Sequence, residues 1–184
     1  KRQDNSVGVA HNPISNMILA SGICPVPELR SLGINVGIGI DGAGSNDSQD
    51  MLQSIKITPL LQRVKKMQAT ALSARDAFMM ATIEGAKVLG VESFLGSIEL
   101  RKRADFVILD GDSPALANIH DPFQAIVYCA GKTEVKEVWV EGENIFKDGV
   151  ITNVSKDEVV KNSKFQAVKL VKAAGLSKLS NLIN

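Results

Sequence analysis

The sequence is poor in the residues that mark several large function classes. Aromatic residues make up only 4 % of its 184 positions, with one Trp and one Tyr. That leaves no stacking platform for single-stranded nucleic acid. Neither sign of charge dominates: 21 Lys+Arg against 20 Asp+Glu give a net charge of +1. A phosphate backbone or an anionic membrane surface is therefore not the expected partner. No apolar run reaches the roughly 18 residues of a membrane-spanning helix. Cysteine is limited to Cys24 and Cys129, far apart and each in an apolar setting. A disulfide between them stays open, but the favoured expectation is two buried free thiols in a cytoplasmic protein. The start, Lys1-Arg2-Gln3-Asp4-Asn5, is polar with no apolar run behind it, which argues against a secretory leader. It has no initiator Met, as expected of a piece of something longer or of a trimmed start.

What is present is globular, with 45 % hydrophobic and 22 % charged residues. Ser6 to Ala10 is a short β-branched apolar run ending at His11 and reads as a buried strand. Pro13 breaks it, and a loop is expected through Gly22. Pro25 to Leu32 is a short helix stopped by Gly33, and Ile34 to Ile40 is a second strand, apolar almost throughout. Strand, helix and strand at this spacing predict a parallel pair. A polar loop, Asp41 to Asp50, leads into a helix over Ser48 to Met67. A second helix starts at Ser73, where Ser73 and Asp76 have capping-box spacing, and closes at Gly90. Beyond Gly96 the pattern is that of a small β module. Strands are expected over Asp105 to Leu109 and Phe123 to Cys129, with a turn at His120-Asp121-Pro122. A hairpin joins Val135–Val140 to Asn144–Phe146. From Ser155 a helix presents a stripe of Val159, Val160, Phe165, Val168 and Val171, and Leu176 to Asn184 should fray.

Two features carry chemistry. Gly37-Ile38-Gly39-Ile40-Asp41-Gly42 matches a dinucleotide fingerprint, but a polar loop follows where that fold needs the glycine to open a helix. Asp41 is the better centre. It ends an apolar parallel strand, where α/β barrels place catalytic side chains. A carboxylate there can ligate a metal and move a proton; it can equally cap the turn. His11 also ends a strand and suits either packing or a ligand contact. Ser15 and Asn16 suit a pocket wall or a satisfied loop. Ser45, Asn46 and Asp47 suit substrate contact or the cap of the next helix.

The order of motifs resembles a known family. His11-Asn12-Pro13-Ile14-Ser15-Asn16, Ala20 to Pro25, and Gly33 to Gly42 followed by Ser45-Asn46 are similar to the deaminase/chlorohydrolase branch of the amidohydrolase superfamily. Ala81 to Ala86, Gly96 to Val107 and Val135 to Gly142 continue the resemblance. It implies the C-terminal part of a (β/α)8 TIM barrel, with its last two strands and helices, in residues 1–95. The C-terminal half of a composite β-sandwich would follow in 96–153, and a C-terminal helix and tail in 154–184. It implies Asp41 as metal ligand and catalytic proton-transfer group, with Ser45, Asn16 and His11 toward the substrate. The parent protein would use zinc or iron to activate a water for deamination or dechlorination of a purine, pterin or triazine-like ring. A homo-oligomer is expected. The family's remaining ligands, a His-x-His pair and further His and Glu residues, belong to earlier strands. With two His in all, this chain is expected to bind no metal and to be inactive alone. The alternative is a truncated homologue that has lost the chemistry and serves as an association or scaffold module.

Overall fold

A computed structural model describes residues 7–176. The first part carries a parallel pair, β1 (Gly8–His11) and β2 (Asn35–Ile38), with Gly8 opposite Asn35 and His11 opposite Ile38. Ser6, the expected start of the first strand, lies outside the described residues. Between the strands the chain forms α1 (Pro13–Ile18) and α2 (Val26–Ser31). The stretch expected as loop thus contains a helix. Pro13 opens α1 rather than barring it, because the first helical position has no N–H to satisfy.

The helix after β2, α3 (Met51–Lys66), starts later than Ser48 because Asp50 is its cap, accepting from the Gln53 amide at 3.1 Å. The single helix expected from Ser73 to Gly90 is two, α4 (Ala74–Ala81) and α5 (Ile83–Leu89). They part at Thr82, whose hydroxyl donates to the Phe78 carbonyl at 2.9 Å in place of continuing the helix. The Ser73–Asp76 capping box forms as its spacing predicts. Val26, Val36, Met80 and Val127 are fully enclosed at the centre of the core these elements share. Arg30 of α2 donates to Asp76 and to Glu84, tying α2, α4 and α5 together. Strand and helix approach closely at one point: a Cβ on Gly37 would lie 2.9 Å from the Cα of Gly85.

The second part is an antiparallel meander, β3 (Phe106–Leu109), β4 (Val135–Val140), β5 (Glu143–Lys147) and β6 (Val150–Ile151). Glu141-Gly142 and Asp148-Gly149 turn the chain with both residues at positive φ, the geometry that tight hairpins favour. The second hairpin was not foreseen. Register aligns Val107, Val138, Phe146 and Ile151 on one face. There a groove of about 420 Å³ is lined by Val135, Val138, Ile145, Phe146 and Ile151, among others. On the other face Trp139 stacks on Phe106 at 5.7 Å and donates to Glu137 at 2.8 Å.

The strand expected over Phe123–Cys129 is helical. A turn, α6 (Pro122–Gln124), runs into a π-helical turn over Ala125–Cys129. Asp121 caps it, accepting from the Phe123 amide at 2.8 Å, and Pro122 takes the first position. His120-Asp121-Pro122 is therefore a helix start. Its apolar run faces the core through Val127. The two cysteines are free, with Cys24 half-buried and Cys129 exposed, so the expected burial fails at Cys129. The last helix, α7 (Lys156–Ala173), is capped by Ser155, which accepts from Glu158 at 3.3 Å. None of its residues is buried; within the expected stripe only Val168 and Val171 are half-covered. Most of the tail expected to fray, residues 177–184, lies outside the described residues. No described helix is long and apolar enough to cross a membrane.

Candidate active site

Parallel pairing brings the ends of β1 and β2 to the same edge. The Gly39 amide donates to the His11 carbonyl at 2.9 Å, which carries the pairing past the strands and fixes the exit of the β2 chain. Asp41 follows at φ 61°, a left-handed conformation uncommon for a residue with a side chain. Its carboxylate is exposed but not free. Oδ2 accepts from the Ser15 hydroxyl at 2.7 Å and Oδ1 from the Gly42 amide at 2.8 Å. The Ser15 hydroxyl, then the Gly42 amide, then the Ser45 hydroxyl hold the Asp41 carboxyl below the usual carboxylate range, so it stays ionised near neutral pH.

The loop beyond Asp41 is wired by Asn46, which is 1 % exposed. Its side-chain amide donates to the Ile40 carbonyl at 2.8 Å, and its carbonyl oxygen accepts from Ser48 at 3.1 Å. Gln49 donates to the Asp41 carbonyl at 3.3 Å and to the Asn46 carbonyl at 2.9 Å. Asn46 is therefore a loop strut, and the cap of α3 is Asp50 rather than any of Ser45, Asn46 or Asp47. Ser45 is half-buried and donates to the Gly42 carbonyl at 3.2 Å. Asn16 is half-buried on α1, one residue beyond Ser15. His11 is buried, at 2 % exposure, and neither ring nitrogen has a partner among the described residues. Burial pulls its pKa down to about 4, so the imidazole is neutral.

Asp41 fits one corner of a metal site. Each of its oxygens already holds one donor and keeps a lone pair, and the group faces solvent. No cluster of three His, Cys, Asp or Glu that could hold a metal exists among the described residues. A catalytic zinc takes at least three protein ligands. The sequence pattern points to Asp41 as a candidate and leaves Ser15 open, although Ser15 donates to the Asp41 carboxylate. The signal was there in Pro13: a helix opened by it turns Ser15 toward the neighbouring strand's end.

Residues 1–145 match the model of the Amidohydrolase family, and the chain belongs to that family. It is 46 % identical over 155 residues to the 5'-deoxyadenosine deaminase of Methanopyrus kandleri, covering 84 % of this chain and 36 % of that protein. It is 40 % identical over 167 residues to the 5-methylthioadenosine/S-adenosylhomocysteine deaminase of Desulforudis audaxviator, covering 91 % and 39 %. An adenosine deaminase from Xanthomonas campestris, solved with bound zinc, matches with a TM-score of 0.87 and 32 % identity over 90 % of this chain and 38 % of that one. The chain thus spans 36–39 % of the length of these proteins. The expected resemblance to deaminase-type amidohydrolases is borne out.

Proposed function

We propose that this chain is the C-terminal part of a zinc-dependent aminohydrolase that removes an amino group from an adenine-type ring. Asp41 would be its metal ligand and proton-transfer group. One observation carries the reading. A carboxylate kept ionised and gripped on both oxygens stands at the common end of two parallel strands, in a chain 46 % identical to a 5'-deoxyadenosine deaminase. When bound, zinc supplies the Lewis acidity that makes water a nucleophile near neutral pH. Asp41 contributes one ligand oxygen, accepts the proton released at that edge and passes it to the departing amine. Ser45, Asn16 and His11 would lie toward the substrate ring. The ligands that complete the site come from outside this chain, which alone is inactive.

In the same reading β1 and β2 are the last two strands of a (β/α)8 barrel within residues 1–95. The meander in 96–153 is half of a sandwich, and 154–184 are an appended helix and tail. The uncovered apolar sheet face supports this, as do Ile98 and Leu100, 87 % and 97 % exposed. Two free thiols fit a cytoplasmic protein. The test is Asp41→Ala in the full-length protein, followed by zinc content and deamination of 5'-deoxyadenosine. Both should be lost, turnover by about a thousandfold or more; unchanged zinc and turnover end the reading. The same uncovered face favours a second reading, a non-catalytic association module. Light scattering of the 184-residue chain tests association, and a strictly monomeric chain would end the second reading. Stoichiometric zinc in this chain alone would refute its catalytic incompleteness.

A further inference from the structure

Ser15 is 3 % exposed, in a helix of six residues. A buried helical serine ordinarily returns its hydroxyl to the carbonyl one turn back. Ser15 instead donates across 26 residues of sequence to Asp41, at 2.7 Å. The backbone of Asp41 is secured separately, by Gln49 on its carbonyl and by Asn46 on the carbonyl before it. The nearest donors on the carboxylate are the Gly42 amide from its own loop, at 2.8 Å, and Ser15 from the connection after β1, at 2.7 Å; Ser45, whose hydroxyl donates to the Gly42 carbonyl, is the weakest of the three influences. The Gly42 bond alone leaves an exposed carboxylate free to turn about its last torsion. The bond from Ser15 holds the second oxygen and so fixes that rotation.

We propose that Ser15 is a positioning residue, which fixes the rotation of the Asp41 carboxylate and thereby couples the β1 and β2 ends of the site. This rests on the reading of Asp41 given above. Ser15 touches neither substrate nor metal in this role; it acts through Asp41. Removing its hydroxyl should weaken the zinc ligand and the proton-transfer step together, while leaving ring recognition alone.

The experiment has two arms. In the 184-residue chain, amide hydrogen exchange at Gly42 is compared with that of the β2 core amides, which separates local release from global destabilisation. Ser15→Ala should speed Gly42 exchange about tenfold relative to those amides, and Ser15→Thr should restore it. In the full-length enzyme, Ser15→Ala should lower kcat about 10- to 100-fold and zinc affinity in chelator competition by a similar factor. KM should stay within about threefold, and Ser15→Thr should recover most of the loss. If Ser15→Ala keeps wild-type kcat, zinc retention and Gly42 exchange while Asp41→Ala is inactive, the role of Ser15 is overturned and that of Asp41 stands. An Asp41→Ala enzyme that keeps zinc and turnover overturns both. A Ser15→Thr variant as impaired as Ser15→Ala, at an unchanged melting temperature, also overturns the positioning role.

Discussion

The two sheets of this chain both carry apolar strand residues, yet they differ in how far those residues are covered. β2 is buried over three of its four residues, enclosed by α2, α4 and α5. No residue of β3, β4, β5 or β6 is buried, although Val107, Val138, Phe146 and Ile151 form a continuous apolar face. The difference lies in what each sheet brings with it. The parallel pair is covered by α2 from its own crossover and by α4 and α5, which follow β2 and fold back over it. In the meander, two-residue turns join β4 to β5 and β5 to β6, and the helical segment between β3 and β4 packs on the other core, so no described element covers the open face. Elements of this chain therefore bury β2, and none among the described residues buries the meander.

The largest effect should come from that enclosed core. Met80 is fully buried, so Met80→Ala should cost about 2–5 kcal/mol, read as a lowered urea midpoint. Phe146→Ala on the open face should cost less than half as much; equal losses would break the contrast. Next is the pH dependence of the βαβ part. His11 has a folded pKa of about 4 against 6.5 for the free group, so between these values the unfolded state binds a proton that the folded state refuses. Stability should fall as pH drops through that window, by about 3 kcal/mol at most. His11→Phe should remove that portion of the slope in acid titrations followed by circular dichroism; a retained slope assigns it to the carboxylates. A smaller gain is expected at Arg101, held at φ 71°. Arg101→Gly relieves a left-handed backbone and should stabilise by about 1 kcal/mol in thermal unfolding. The smallest effect should be at the apolar face itself. Ile151→Lys should change stability by less than about 0.5 kcal/mol because Ile151 is half-exposed. A loss above about 2 kcal/mol would show that part of this chain covers the face.

Where the sequence was legible, one local rule was enough. The β-branched run to His11, the apolar run from Ile34 to Ile40 and the Ser73–Asp76 spacing each declare an element, although the second strand itself closes at Ile38. Phe123–Cys129 misleads because its β-branched core is a strand signal, while Asp121 and Pro122 just upstream are a helix-start signal. Packing of Val127 into the core decides for helix. Pro13 misleads in the mirror sense, a supposed breaker serving as first residue. Asp41 was visible because the strand end points to it. Its partner Ser15 stayed ambiguous because the bond spans 26 positions, and no pattern within either segment records a contact between them. His11 was legible as a strand end, but its burial with both nitrogens unpartnered depends on elements that close over it.

The contact between Gly37 and Gly85 leaves no clearance: one methyl group would already stand 2.9 Å from a backbone carbon. In engineering terms this seam has zero tolerance, and Gly37 lies only four residues before Asp41. A change as slight as Gly37→Ala would displace the rail on which the carboxylate rides. Lesions in a dry joint between strand and helix should therefore look, in an assay, like lesions in the site.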